Sequence, residues 1–206
     1  MDIPIIIFHI GNQEYVHLCL KQAIKHGNKV CILTDNANNF NYNNVTSVNY
    51  INYSNNLKKF EKIYKHFSTN PYQLELICIV RWMCIYEYMK KNNIEKAFIC
   101  DSDILLYDNI TDIININLIE DMYLCTSSSK NVTGGQSIFT LNKIESFVNF
   151  CFEFYNTQIP NILKWKETYK ETGGICDMTL LYYFCHNEKN FVGLRLPDYP
   201  YFKNDL

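Results

Sequence analysis

Lys96-Ala97-Phe98-Ile99-Cys100-Asp101-Ser102-Asp103-Ile104-Leu105-Leu106-Tyr107 is the stretch whose reading decides the fold. Up to Cys100 the residues are apolar without polar alternation, as in a strand buried on both faces of a parallel sheet. Two carboxylates then follow, one residue apart. Open α/β sheets bind their ligands at the carboxyl ends of the strands, where Asp101 and Asp103 would stand. There the two acids form a hard-oxygen pair suited to Mg²⁺ or Mn²⁺, ions that take carboxylates together with a substrate's phosphate oxygens. A bare Asp-x-Asp suits a solvated loop after a strand equally well, so the flanking chain has to choose.

On the amino-terminal side the spacing predicts a helix from 71 to about 91, with Asn70 as N-cap and Pro71 at its first position. Its apolar stripe is Leu74, Ile77, Cys78, Cys84, Ile85 and Tyr88, and Arg81 sits in the middle of it. A buried guanidinium without a partner is too costly to persist. Its partner is the acid pair, a phosphate held there, or another carboxylate in a structural salt bridge. Further out, residues 3–10 read as a strand, 13–26 as a helix carrying Val16, Leu20, Ala23 and Ile24, and 29–34 as a second strand ending at Asp35. A right-handed βαβ unit puts His9, Gly11, Asn12 and Asp35 on one edge. A strand near 45–51 and a helix over 57–67 complete the first half.

Beyond the acid pair, strands are predicted at 122–126 and 137–141, with a loop over 127–133. A helix capped by Asn142 runs to about 156. A short helix starts at Pro160, another covers 177–185, and a last strand lies at 191–196. The fold class is α/β: one domain over 1–206, a mixed, mostly parallel sheet flanked by helices, irregular in its second half.

The totals agree. The 206 residues fit one domain, and 48% hydrophobic against 19% charged residues describe a core-rich globular chain. A net charge of −2 without a basic stripe argues against nucleic acid as the main partner. Nine cysteines with no Cys-x-x-Cys give no support for a zinc or thioredoxin site; they read as free thiols in a reducing, cytoplasmic setting. Residues 4–10 are too short for a signal core or a transmembrane segment. Gly-x-Gly-x-x-Gly, the Walker lysine motif, Gly-x-Ser-x-Gly and His-Glu-x-x-His are all missing, which removes most dinucleotide, NTPase, hydrolase and zinc-protease readings.

Three further features have two readings each. Gly134-Gly135-Gln136 allows a ligand close to the backbone with Gln136 facing it, or is a tight turn. Asp177 opens a helix, where the dipole favours an acid, or is delivered to the cleft. His9 at a strand end is a ligand contact or a hydrogen-bonded histidine. Trp165 is a candidate for sugar stacking.

Taken in order, these residues resemble the nucleotide-diphospho-sugar transferases, glycosyltransferases of the GT-A fold. The likeness comprises Phe8-His9-Ile10-Gly11 with Tyr15, the 30–35 strand, Arg81, Phe98–Asp103 with Tyr107-Asp108-Asn109, the Gly134-Gly135-Gln136 strand and Asp177 on a late helix. The resemblance implies a metal-dependent transferase that moves a sugar from a nucleotide-diphosphate donor, UDP-sugar by family frequency, to a glycan, protein or other hydroxyl acceptor. Asp103 and Asp101 would hold Mn²⁺ or Mg²⁺ against the donor's diphosphate. His9, Ile10, Gly11, Asn12, Tyr15, Asp35 and Ser102 would line the nucleotide site. Arg81 would contact the donor or lock the acid pair, while Gln136 and Asp177 would approach sugar and acceptor. For an inverting enzyme, Asp177 is the candidate base. Many relatives add a late metal ligand, often a histidine, and neither His186 nor Asp205 fits that pattern.

Two alternatives stay open. A GT-A-like domain could bind sugar nucleotide or a partner without turnover. A haloacid-dehalogenase-type phosphatase also places Asp-x-Asp after an apolar strand, although normally on its first strand and followed by Thr or Val.

Overall fold

The computed structural model describes residues 2–115, 121–128, 131–158, 164, 174–187 and 192–194. Its centre is the pair of strands β1 (Ile5–His9) and β4 (Lys96–Cys100), which run parallel with Ile5 opposite Phe98 and Ile7 opposite Cys100. Between them the chain forms α1 (Glu14–Lys25), β2 (Val30–Thr34), β3 (Val45–Asn49), α2 (Asn55–Phe60) and α3 (Tyr72–Lys91). After β4 come α4 (Ile110–Asn115), β5 (Met122–Ser128), β6 (Asn131–Thr140), α5 (Leu141–Thr157), α6 (Asp177–Asn187) and β7 (Val192–Leu194).

One seven-stranded sheet carries both halves, in the order β3-β2-β1-β4-β6-β5-β7. β6 alone runs antiparallel to its neighbours; the other pairings are parallel. Alternation along each strand feeds two cores. Ile6 and Ile99 face α2, α3, α5 and α6, whereas Ile5, Ile7, Phe98 and Cys100 face α1 and α4. Because both faces are covered, the strands read as unbroken apolar runs. Ile5, Ile6 and Ile7 are completely buried, each burial favouring the fold by about 1.5–3 kcal/mol.

The path of the chain fixes where a ligand goes. From β1 it steps outward to β2 and β3, then returns to the other side of β1 as β4. The strand order therefore reverses between β1 and β4, the kind of switch point at whose carboxyl ends open α/β sheets form a ligand crevice. His9 ends one of these strands, and Asp101 follows the other.

Several local expectations are corrected. α3 starts at Tyr72 with Pro71 as its N-cap, because the Pro71 carbonyl already accepts from Glu75 N at 3.1 Å. Of the predicted stripe, Cys84, Ile85 and Tyr88 are buried, Ile77 and Cys78 are partly buried and Leu74 is 51% exposed; Leu76, Ile79, Val80, Trp82 and Met83 widen the buried face beyond it. α2 stops at Phe60, short of the predicted 67. α5 is capped by Thr140, whose hydroxyl accepts from Lys143 N at 3.3 Å, so Asn142 lies inside the helix. Gly134-Gly135-Gln136 is not a tight turn but lies in the middle of β6, in the strand that the resemblance implied. The helix predicted from Pro160, with Trp165, lies outside the described residues, as do Asp205 and the His186 side chain.

Candidate functional site

The crevice is built from two loops that meet across the reversal point. Gly11, at φ +103°, opens the loop after β1 and donates its N–H to Asp35 Oδ1 at 2.9 Å, tying that loop to the end of β2. The same N–H is the main reason the Asp35 carboxyl lies below its ordinary pKa. His9 spans to the other side. Its Nδ1 is 2.9 Å from Ser102 Oγ, and its Nε2 is 2.6 Å from Gln13 Oε1. The ring is 6% exposed, with Tyr15 edge-on at 5.8 Å and Phe40 at 6.4 Å. His9 is thus a hydrogen-bonded histidine at the crevice, and what it holds is the residue between the two acids. Asn12 accepts at Oδ1 from His17 Nε2, 2.8 Å away. Ile10 and Tyr15 are exposed on the rim.

Arg81 reaches this edge from α3. Its Nη1 donates to Asp101 Oδ1 at 2.5 Å and its Nη2 to Asp177 Oδ2 at 2.8 Å. Burial pulls the guanidinium's pKa down, and the charges of Asp177 and Asp101 more than reverse that, so Arg81 stays cationic. The predicted partner of Arg81 is therefore present in one member of the acid pair. The second partner, Asp177, comes from the far end of the chain.

Asp177 is brought there by its own local chain. Gly174, at φ +78°, turns the backbone beside Phe67, and an added Cβ would lie 2.2 Å from the Phe67 carbonyl. Ile175 N donates to that carbonyl at 3.1 Å, while Ser68, bridged to Gly174, donates to the buried Glu75 at 2.7 Å. The turn delivers Asp177 to the first position of α6. Its Oδ1 accepts from Met178 N at 2.9 Å, and its Oδ2 also accepts from Trp82 Nε1 at 3.3 Å. With both oxygens engaged and 6% exposure, Asp177 anchors Arg81 and Trp82.

The glycine pair has a packing role that its sequence did not announce. A Cβ on Gly134 would lie 2.2 Å from Trp82 Cζ2, and one on Gly135 would lie 2.5 Å from Asp101 Oδ2. The close approach is made by side chains of the site, and Asp101 N also donates to Gly135 O at 2.8 Å. Gln136 stands opposite Cys100 on β4, one residue before Asp101. Trp82 and Gln13 are the site residues the sequence reading missed. Trp82 follows Arg81 directly, which was the available signal; nothing local marks Gln13.

Asp103 is exposed and makes no hydrogen bond or ion pair with the described residues, and Asp101 Oδ2 is likewise unengaged. Among the described residues no group of three or more His, Cys, Asp and Glu converges on one point. By donor chemistry alone, two carboxylate oxygens are what Mg²⁺ or Mn²⁺ would take where substrate phosphates and water complete its shell. No helix of the described residues is long and apolar enough to cross a membrane.

No family model and no curated protein sequence matches the chain. Among solved structures it is similar to a glycosyltransferase involved in the glycosylation of the major capsid of PBCV-1, with TM-score 0.49 and 13% identity over 94% of this chain and 81% of that one. It is also similar to the glycosyltransferase GlyE of Streptococcus pneumoniae TIGR4, with TM-score 0.46 and 12% identity over 94% of this chain. The apo form of GlyE gives TM-score 0.44 and 11% identity over 93% of this chain. The chain spans 45% of the GlyE chain in both cases.

Proposed function

We propose that the chain is a metal-dependent glycosyltransferase domain that takes a nucleotide-diphosphate sugar, with a UDP-sugar as the first donor to test, and transfers the sugar to a hydroxyl of a glycan or protein. The observation that carries this reading is the position of the Asp101-Ser102-Asp103 turn. It stands at the reversal of strand order between β1 and β4 and is joined there to the first loop through His9. A nucleotide entering at that edge meets Gly11, Asn12, Tyr15 and Asp35 on one side and the acid pair on the other. Asp103 and the unengaged oxygen of Asp101 would hold Mn²⁺ or Mg²⁺. When bound, that ion acts as a Lewis acid toward the charge that develops on the departing diphosphate.

Arg81 keeps Asp101 turned to one side, so that a single oxygen of this acid faces the ligand. Asp177 and Gln136 would border the region beyond the acids, where sugar and acceptor would lie. The free thiols fit a reducing compartment, and a cytoplasmic location is part of the proposal.

Calorimetry of UDP- and GDP-sugars with and without Mn²⁺, on the wild type and on Asp103→Ala, tests the reading. Metal-dependent binding that is lost in a folded Asp103→Ala protein supports it. Binding unchanged by the substitution removes the metal assignment. Turnover to nucleoside diphosphate separates an enzyme from a binding domain, and phosphomonoester hydrolysis without nucleotide would overturn the reading in favour of a phosphatase.

A further inference from the structure

We propose that Ser102 is a polarity-selecting residue of this crevice. Its hydroxyl proton is committed to His9, so that its oxygen meets a ligand only as an acceptor. Gln13 and His9 are the positioning residues that impose this state. The inference rests on the nucleotide-sugar reading for the identity of the ligand, and on hydrogen-bond geometry for the rest.

Gln13 faces His9 Nε2 with its amide oxygen, at 2.6 Å. A carboxamide oxygen only accepts, so Nε2 carries the hydrogen. In a neutral imidazole the other nitrogen is then bare, and His9 Nδ1 accepts from the Ser102 hydroxyl at 2.9 Å. A serine hydroxyl has one hydrogen and two lone pairs; with the hydrogen spent on His9, only lone pairs remain for the ligand. Gly11 makes the arrangement sterically possible. A Cβ there would lie 2.7 Å from Gln13 Oε1, so any side chain at position 11 drives the amide off His9.

Three consecutive side chains, Asp101, Ser102 and Asp103, are thereby acceptors without a donor hydrogen among them. A bare phosphate oxygen is repelled at all three, whereas a metal-bound water or a sugar hydroxyl finds Ser102 Oγ ready to accept. Recognition at position 102 is of an O–H group.

Long-range ¹H–¹⁵N spectra of the full chain labelled with ¹⁵N-histidine, assigned by loss of the His9 signals in His9→Asn, read the tautomer directly. The expected wild-type state is Nε2–H, with Gln13→Ala and Gly11→Ala each losing that preference in a folded protein. Nδ1–H in the wild type, as the other neutral tautomer or as the imidazolium, overturns the proposal. Calorimetry then reads the ligand side. Ser102→Ala should weaken a UDP-sugar with Mn²⁺ about tenfold, and Ser102→Thr should restore it. If a UDP-sugar without metal shows the same tenfold loss and UDP alone shows no binding, the O–H group is a sugar hydroxyl; if only the metal-loaded complex shows it, the group is a metal-bound water. Inorganic pyrophosphate without metal that binds the wild type and is lost in Ser102→Ala means that serine donates, which overturns the proposal. A chain with the Nε2–H tautomer that binds no nucleotide at all refutes the transferase reading and leaves the polarity of Ser102 established.

Discussion

Arg81 Nη2 lies 2.8 Å from Asp177 Oδ2 although 96 residues separate them in sequence. The same guanidinium holds Asp101, so one cation is shared between two acids at the edge where the crevice opens. Removing it leaves the buried Asp177 and the partly exposed Asp101 without their shared counter-charge.

Arg81→Ala is therefore expected to destabilise the fold by about 3 kcal/mol, the range for breaking one side of a buried ion pair. Urea unfolding measures this. Adding Asp177→Asn to Arg81→Ala should return part of the loss, because the uncompensated acid is then gone. Strict additivity of the two substitutions would mean that the pair is not coupled.

The two neighbouring glycines should separate stability from ligand binding. Gly134→Ala drives a methyl into the completely buried Trp82 ring, an overpacking that costs about 1–3 kcal/mol. Gly135→Ala meets the half-exposed Asp101 carboxylate, which has room to swing. Its expected signature is weakened Mn²⁺-dependent nucleotide binding with a smaller loss of melting temperature than Gly134→Ala. Equal thermal losses with unchanged binding would contradict the placement of Asp101.

Asp35 sets a pH dependence on the first loop. Its folded pKa is lowered, chiefly by the Gly11 N–H, so the tie is complete above the ordinary aspartate value near 3.8 and is lost as pH falls through the lower folded value. The Gly11 amide resonance should report a titration midpoint below 3.8, and Asp35→Ala should abolish that titration. A midpoint above 3.8 would contradict the hydrogen bond.

Burial pushes the thiols of Cys31 and Cys78 up to about 12. Since the thiolate is the reactive form, both should resist iodoacetamide at pH 8 in the native protein and label readily in denaturant. Peptide mass spectrometry resolves the two sites. Fast native labelling of Cys31 would show that strand β2 is not packed as described.

Legibility in the sequence followed the range of the interaction. The strands through Ile5, Ile32 and Ile99 are apolar runs, and each was readable from its own residues. The Asp101–Asp103 turn, Asp35 and the need of Arg81 for an acid were legible too, because strand ends and buried charges have local signatures. α4 was not legible. Its first N–H is capped by the side chain of Asn28, 82 residues earlier, which also binds the Ala23 and Asp108 carbonyls at 3.0 and 2.9 Å. The packing role of the glycine pair was hidden for the same reason. Nothing around Gly134 and Gly135 states that Trp82 and Asp101 will press against them. Gln13, the N-cap residue of α1, gave no sign that it would set the ring of His9.

The reversal of strand order has a kinetic consequence. Three of the ties that assemble the site close long loops: His9 to Ser102 spans 93 residues, Arg81 to Asp177 spans 96, and β1 pairs with a strand more than 90 positions away. The β5–β6 hairpin and the α1–β2 step need no such closure and are free to form early. Because loop-closure entropy is lost before distant contacts return anything, the pieces around the acids come together late in folding. A chain with nearly all of its helices and strands in place would still have no binding site, and recovery of nucleotide binding after dilution from denaturant should lag behind recovery of the far-ultraviolet signal.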